Sequence, residues 1–235
     1  MTRGIDWGLL KPRDGWRAFA GEVGVVVIGV LLALGAQQLV DRWQMNREMA
    51  GFRETIDHEI GLNLSVYSAR EQGHACALRN FDALDRWLAS ARSGAAVPGV
   101  VIATPNNFSF YRSAWDNRDA TVFANLPKAV RLKYAEFYDE LENNALIRRS
   151  ESEYRAILRR YAEPGPLSLT ERREFSGAMQ MLRAQEDILN DNAAFSKAIA
   201  DSIGVKPRLA DGVTADQIAE AVRCKPQQFV PIAGT

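Results

Sequence analysis

The sequence predicts an all-α protein in which one N-terminal transmembrane helix continues into an antiparallel helical bundle. Three observations carry that reading. From Val23 to Val40 the chain reads VGVVVIGVLLALGAQQLV, and every residue between Glu22 and Gln37 is apolar or glycine. Beyond that run, apolar residues recur at steps of three and four over long windows, which marks one face of an α-helix. Glycine and proline gather at Gly94–Gly99, Pro164–Pro166 and Gly204–Gly212, where they punctuate helices.

The apolar run alone supplies about fourteen residues, and crossing a bilayer takes roughly 20 at about 1.5 Å each. Ala18–Gly21 and Leu39–Val40 bring it to that length, so the span is placed at 18–40. Glu22, Gln37 and Gln38 then fall near the two interfaces, where polar groups cost far less than at mid-membrane. Trp16 and Trp43 flank the span as interfacial aromatics. A buried core helix would show a polar face somewhere, and this stretch has none. A cleaved signal peptide would use the small residues in Ala33–Leu34–Gly35–Ala36. Against cleavage, the tail before the span is long and the helical pattern runs on through Trp43. Arg3, Lys11, Arg13 and Arg17 precede the span and Arg42, Arg47 and Arg53 follow it. By the positive-inside rule, that slight excess assigns residues 1–17 to a cytoplasmic tail and 41–235 to an extracytoplasmic domain.

About 195 residues follow the span, enough for a domain with its own core. The 29 basic and 29 acidic residues cancel, so no basic surplus points to nucleic acid. The chain has no internal repeat or low-complexity tract.

After the span, Phe52, Ile56, Ile60, Asn63, Val66, Gly73, Ala77, Phe81, Leu84, Leu88 and Ala91 trace one helical face. This predicts a long helix from about Gly15 to about Arg92. Residues 93–107 contain Pro98, Gly99 and Pro105 and form a connection, with an extended stretch at Val100–Ile102. A shorter helix follows from Phe108 to Ala124. Leu126–Pro127 opens the next, since proline is tolerated in a first turn. Its face is Val130, Tyr134, Phe137, Leu141, Ala145, Tyr154, Leu158 and Tyr161, and Glu163–Pro164–Gly165–Pro166 stops it. Ser168 with Glu171 reads as a capping box, with Thr170 as an alternative cap. The helix it opens shows Phe175, Met179, Leu182, Leu189, Ala193, Ile199 and Ile203, and ends at Gly204. Thr214 and Gln217 form a second box for a short helix at Thr214–Arg223. Residues 224–235 show no periodicity.

Gly21–Glu22–Val23, Val26–Val27–Ile28–Gly29–Val30–Leu31–Leu32–Ala33–Leu34, Gln38–Leu39 and Trp43 resemble the opening of a bacterial family of single-pass membrane proteins of unknown function. Ser113–Ala114–Trp115, Leu126–Pro127, Tyr134 and Tyr138 echo the same family more loosely. The chain departs from the family's Ser-Gly step, reading Asp119–Ala120–Thr121 there. The resemblance implies an envelope protein with a helical outer domain, and no activity comes with it.

Glu22, Gly29, Ala33 and Ala36 share one face of the anchor, where small residues let helices approach closely in lipid. Cys76 and Cys224 are a disulfide candidate, a bridge that would close a loop of roughly 150 residues; the alternative is two separate buried thiols. His58, Glu59, His74 and Cys76 are the only metal-like set. The two histidines lie about 24 Å apart along one helix, so no shared ion is expected. Tyr111, Trp115, Asp116 and Arg118 form a possible ligand cleft, against which stands a buried tryptophan beside a solvated charged face. Arg148, Arg149, Glu151, Glu153, Arg155, Arg159 and Arg160 read as an exposed face with i,i+4 partners. No nucleophile–base pair, phosphate loop or cofactor fingerprint is present, so no catalysis or cofactor is expected. The expected partners are the lipid bilayer and a second copy of the chain or another envelope protein. Two functions compete: a structural or protein-interaction module, probed by an exposed apolar stripe, and a sensory or ligand-binding bundle, probed by a pocket between helices.

Overall fold

The computed structural model describes residues 15–91, 94–103 and 109–232, without the side chains of Arg17 and Ala18. The tail charges Arg3, Lys11 and Arg13, together with Pro105 and the last three residues, lie outside that set. The fold is all-α, apart from one two-stranded sheet. Its contacts divide the chain into Met1–Gly51 and Phe52–Thr235. Helix α1 (Gly15–Ser90) is 76 residues long and belongs to both.

Within the first unit, α1 is long and apolar enough to cross a membrane. Its most apolar window has a mean hydropathy of 2.2, and none of that window is buried by protein. Val25 and Leu32 stand 73% and 69% exposed, which water would penalise and lipid would not. Past the apolar run the helix is polar and supports itself locally: Gln44 donates to Glu48 at 2.9 Å, and the Arg47 guanidinium lies 4.8 Å from the Trp43 ring.

The second unit is built from the rest of α1 and the two long helices α4 (Lys128–Arg160) and α5 (Leu169–Ser202). Ile56, Ile60, Leu64, Tyr67, Phe81, Leu84 and Trp87 are the buried side of α1. Of these, Phe81, Leu84 and Trp87 join Leu158 of α4 and Phe175, Met179 and Leu182 of α5 in one core cluster at the far end, where the Trp87 and Phe175 rings sit 5.0 Å apart. Helix α5 opens with the Ser168–Glu171 capping box, both halves formed, and ends at Gly204, whose φ of +80° suits glycine.

Helix α5 is antiparallel to α4: Asn192 donates to Asn144 at 2.7 Å and Gln185 to Ser150 at 2.6 Å. Helix α4, however, runs in the same direction as α1. Tyr134 bonds Asp57, Tyr138 bonds Glu59 and Asn144 bonds Tyr67, so both numbers climb together. The reason lies in residues 94–103 and 109–126, which lie progressively further back along α1 before α4 begins. Pro98 accepts from Trp87 at 2.7 Å, Phe110 packs on Tyr67 at 5.4 Å, and Tyr111 exchanges two bonds with Asn63.

That returning segment forms β1 (Gly99–Val100), α2 (Ser113–Asp116) and α3 (Ala120–Asn125). The single helix expected up to Ala124 is thus broken in two. Asp119 breaks it: its carboxylate accepts from the N–H groups of Thr121 at 2.7 Å and Val122 at 3.0 Å, which caps a new helix instead of continuing the old one. The tail without periodicity finds structure through pairing. After α6 (Ala215–Ala221), opened by the Thr214–Gln217 box, β2 (Phe229–Val230) pairs antiparallel with β1. On α4, Asn144 is buried and Ala145 exposed, the reverse of the expected face.

Candidate functional site

Helix α1 carries a second, polar stripe beside its apolar one: Glu59, Asn63, Tyr67, Arg70 and His74, spaced by three or four residues and turned into the domain. Burying such groups is costly unless each finds partners. Glu59 is 5% exposed and accepts from the N–H groups of Ala114 and Trp115 at 2.7 and 3.2 Å, and from the Tyr138 hydroxyl at 2.6 Å. Its charge therefore sits at the N-terminus of α2. Burial, and then the bond to Glu59, hold the Tyr138 hydroxyl well above the usual tyrosine range. Burial and Asp57 do the same for Tyr134.

Further along the stripe, Arg70 bridges α4 and α5. Its guanidinium reaches Glu186 at 2.8 Å and Glu151 at 3.3 Å. Glu151 also takes Arg155 at 3.0 Å, and Glu186 accepts a 3.3 Å contact from His74. Glu151, expected on an exposed charged face, is 3% exposed. Its register explains the correction: with Leu141, Asn144 and Leu158 it occupies the inward repeat of α4, and Arg70 supplies the charge that lets it stay there.

Two cavities flank this network. One, of about 240 Å³, has Arg70, Glu151 and Glu186 at its polar end, Ala77, Phe81 and Leu84 as an apolar wall, and Ala221–Arg223 with Lys225 on the remaining side. The other, of about 560 Å³, is lined by Arg112, Arg148, Arg149, Arg155 and Arg159, with Glu151 as the one acid among the described residues that line it. Burial, and then the like charge of Arg70, hold the Arg148 guanidinium below its ordinary value, while Glu151 pulls the other way.

The expected cleft residues line neither cavity. Trp115 is 8% exposed, with Tyr138 stacked on its ring at 4.5 Å and the Arg118 guanidinium at 4.0 Å, so both aromatic surfaces are in use. Asp116 pairs with Arg112 at 3.2 Å, and Tyr111 is tied by its backbone to Asn63. The packed-tryptophan alternative describes this region. Cys76 and Cys224 are joined as a disulfide, with Cα atoms 5.4 Å apart. The bond fixes the segment that walls the smaller cavity. Glu22, Gly29, Ala33 and Ala36 are all exposed on α1, and a Cβ at Gly29 would meet nothing within 4 Å. His58 and His74 are held apart, His58 near Arg208 at 3.5 Å. Among the described residues no group of three or more His, Cys, Asp or Glu is placed to hold a metal ion.

The sequence shows Asn63 on the apolar face and Glu59 and His74 as a metal-like set, but not their common stripe, because its period equals that of the apolar stripe beside it. A run of polar residues at helical spacing within a segment that must be covered was the available signal. No protein-family model, curated protein or solved structure matches this chain.

Proposed function

We propose that the protein is a single-pass component of the bacterial inner membrane, its tail cytoplasmic and its helical domain periplasmic, acting as a protein-interaction module that assembles with copies of itself. One observation supports it above the rest: the outer side of α5. Besides its buried face, α5 exposes Met181, Ile188 and Phe195 at 45%, 47% and 48%. They stand seven residues apart, with Ala184 and Ala198 between and beyond them, also exposed. A seven-residue repeat of large apolar groups is what a partner helix packs into, and here the small alanines flank it at two steps while the exposed Asp191 takes the step between Ile188 and Phe195. A second copy offers the same repeat, giving a two-fold contact. Anchoring by α1 would orient all copies alike and raise their effective concentration. Gly29, Ala33 and Ala36 offer a second small-residue face within lipid.

The test is the mass of the full chain in mild detergent. Wild type is expected to be oligomeric, and the variant Ile188→Glu/Phe195→Glu to shift toward the monomer without losing helicity. A wild type monomeric at every concentration would sink the reading. A reporter fused after Thr235 and active only in the cytoplasm would reverse the topology.

A second reading, a ligand-binding bundle, draws support from the 240 Å³ cavity, where an apolar wall faces the Arg70–Glu151–Glu186 network.

A further inference from the structure

The larger cavity has a chemistry that neither reading uses. The chain as a whole is electrically balanced, yet five arginines and one acid converge on this groove. The acid is already committed: Glu151 turns its two oxygens to Arg70 and Arg155, at 3.3 and 3.0 Å, so one negative charge is shared between two positive ones. Arg112 pairs with Asp116 and Glu142, at 3.2 and 3.5 Å. Arg148 lies with its guanidinium 5.4 Å from the Phe110 ring, partly desolvated, with Arg70 acting against its charge. Arg149, Ser152 and Arg159, from the same helix, also line the groove.

We propose that this groove is a binding site for a multivalent phosphate-type oxyanion. Guanidinium groups present planar forks that match phosphate oxygens in pairs, and their bonds to oxyanions are among the stronger hydrogen bonds proteins make. A monovalent carboxylate would answer only part of the converging charge. A phosphate ester carries about −1.5 to −2 at neutral pH, and a di- or triphosphate more. The volume of about 560 Å³ exceeds what one inorganic phosphate fills and leaves room for an organic or second phosphoryl group. Phe110 and Ala145 give that room an apolar side. The same chemistry is offered by a free polyphosphorylated solute and by the headgroup of an anionic phospholipid. The shared determinant is the clustered phosphate charge.

The experiment uses the full chain in a neutral detergent, with two probes: tripolyphosphate for the free source and a short-chain phosphatidylglycerol for the headgroup. Short-chain phosphatidylcholine is the control lipid. Binding is read by calorimetry and by the shift of the melting temperature, at low and at raised salt. Arg149→Gln/Arg159→Gln removes two rim charges, and Arg173→Gln on α5, outside the groove, is the control. At least one probe is expected to bind wild type and the control variant alike, and to bind the double variant more weakly by roughly tenfold or more, the size expected from losing charge-assisted bonds. Raised salt should weaken that binding, since the site is open to solvent. Tripolyphosphate binding alone assigns a soluble anion, phosphatidylglycerol binding alone assigns a headgroup, and both together support a phosphate site indifferent to the source. The proposal is overturned if neither probe binds at low salt, or if the double variant, with unchanged circular dichroism, binds as wild type does.

Discussion

Glu59 shows at the scale of one residue what the polar stripe of α1 costs and why it persists. A carboxylate 5% exposed is tolerable because two backbone N–H groups and the hydroxyls of Tyr138 and Ser113 converge on it. Glu59→Ala is expected to lower stability by about 2–4 kcal/mol, since it strands those donors as well as losing their bonds. A denaturant midpoint that drops at unchanged slope would measure it. The tyrosines beside it give a pH signature. Tyr67, Tyr134 and Tyr138 all have hydroxyls raised first by burial. A folded value above the unfolded one means their contribution is intact below about pH 10, the unfolded tyrosine value, and is lost as pH climbs toward the folded values. Three of the 6 tyrosines should therefore withhold their tyrosinate absorbance until the domain unfolds in base. Absorbance that rises smoothly while circular dichroism stays native would contradict this. Residues of this kind were the least legible in the sequence. Glu151 and Arg70 look like solvent-facing charges until the partner helices are in place, because a charge pair across helices leaves no trace in local spacing.

Elements were far more legible, because helices announce themselves by period and by caps. Ser168–Glu171 and Thr214–Gln217 mark their helix starts with both halves of the box formed. Asp119 was the cap left unread, and it divides what periodicity alone joined. Of the two strands, β1 overlaps the extended stretch expected at Val100–Ile102, whereas β2 has no local signal; each is two residues long and they pair with one another. Two glycines of α1 separate packing from propensity. A Cβ on Gly61 would lie 2.8 Å from the Lys206 carbonyl oxygen and 3.0 Å from Arg208 Cγ, whereas one on Gly73 meets nothing within 4 Å. Gly61→Ala should therefore destabilise by about 1–3 kcal/mol, the range for forcing atoms into a packed contact. Gly73→Ala should stabilise by about 0.5–1 kcal/mol through helix propensity. Thermal melts of the two variants, run side by side, should move in opposite directions.

Over the whole molecule, the Cys76–Cys224 bond spans a sequence separation of 148 residues. Chain-entropy arguments assign a loop of that length about 4–5 kcal/mol. Cys76→Ser is expected to lower the unfolding free energy by up to that amount, and reduction of the wild type should do the same; a reduced protein as stable as the oxidised one would contradict it. The order in which the chain is made gives this bond a further meaning. Cys76 emerges long before Cys224, and at about 5–20 residues per second it stays unpaired for roughly 7–30 s. With 2 cysteines in all, no wrong partner exists within the chain, so a mistake made in that interval must involve another molecule. Slowing synthesis is therefore expected to increase disulfide-linked by-products on a non-reducing gel, with the finished fold unaltered.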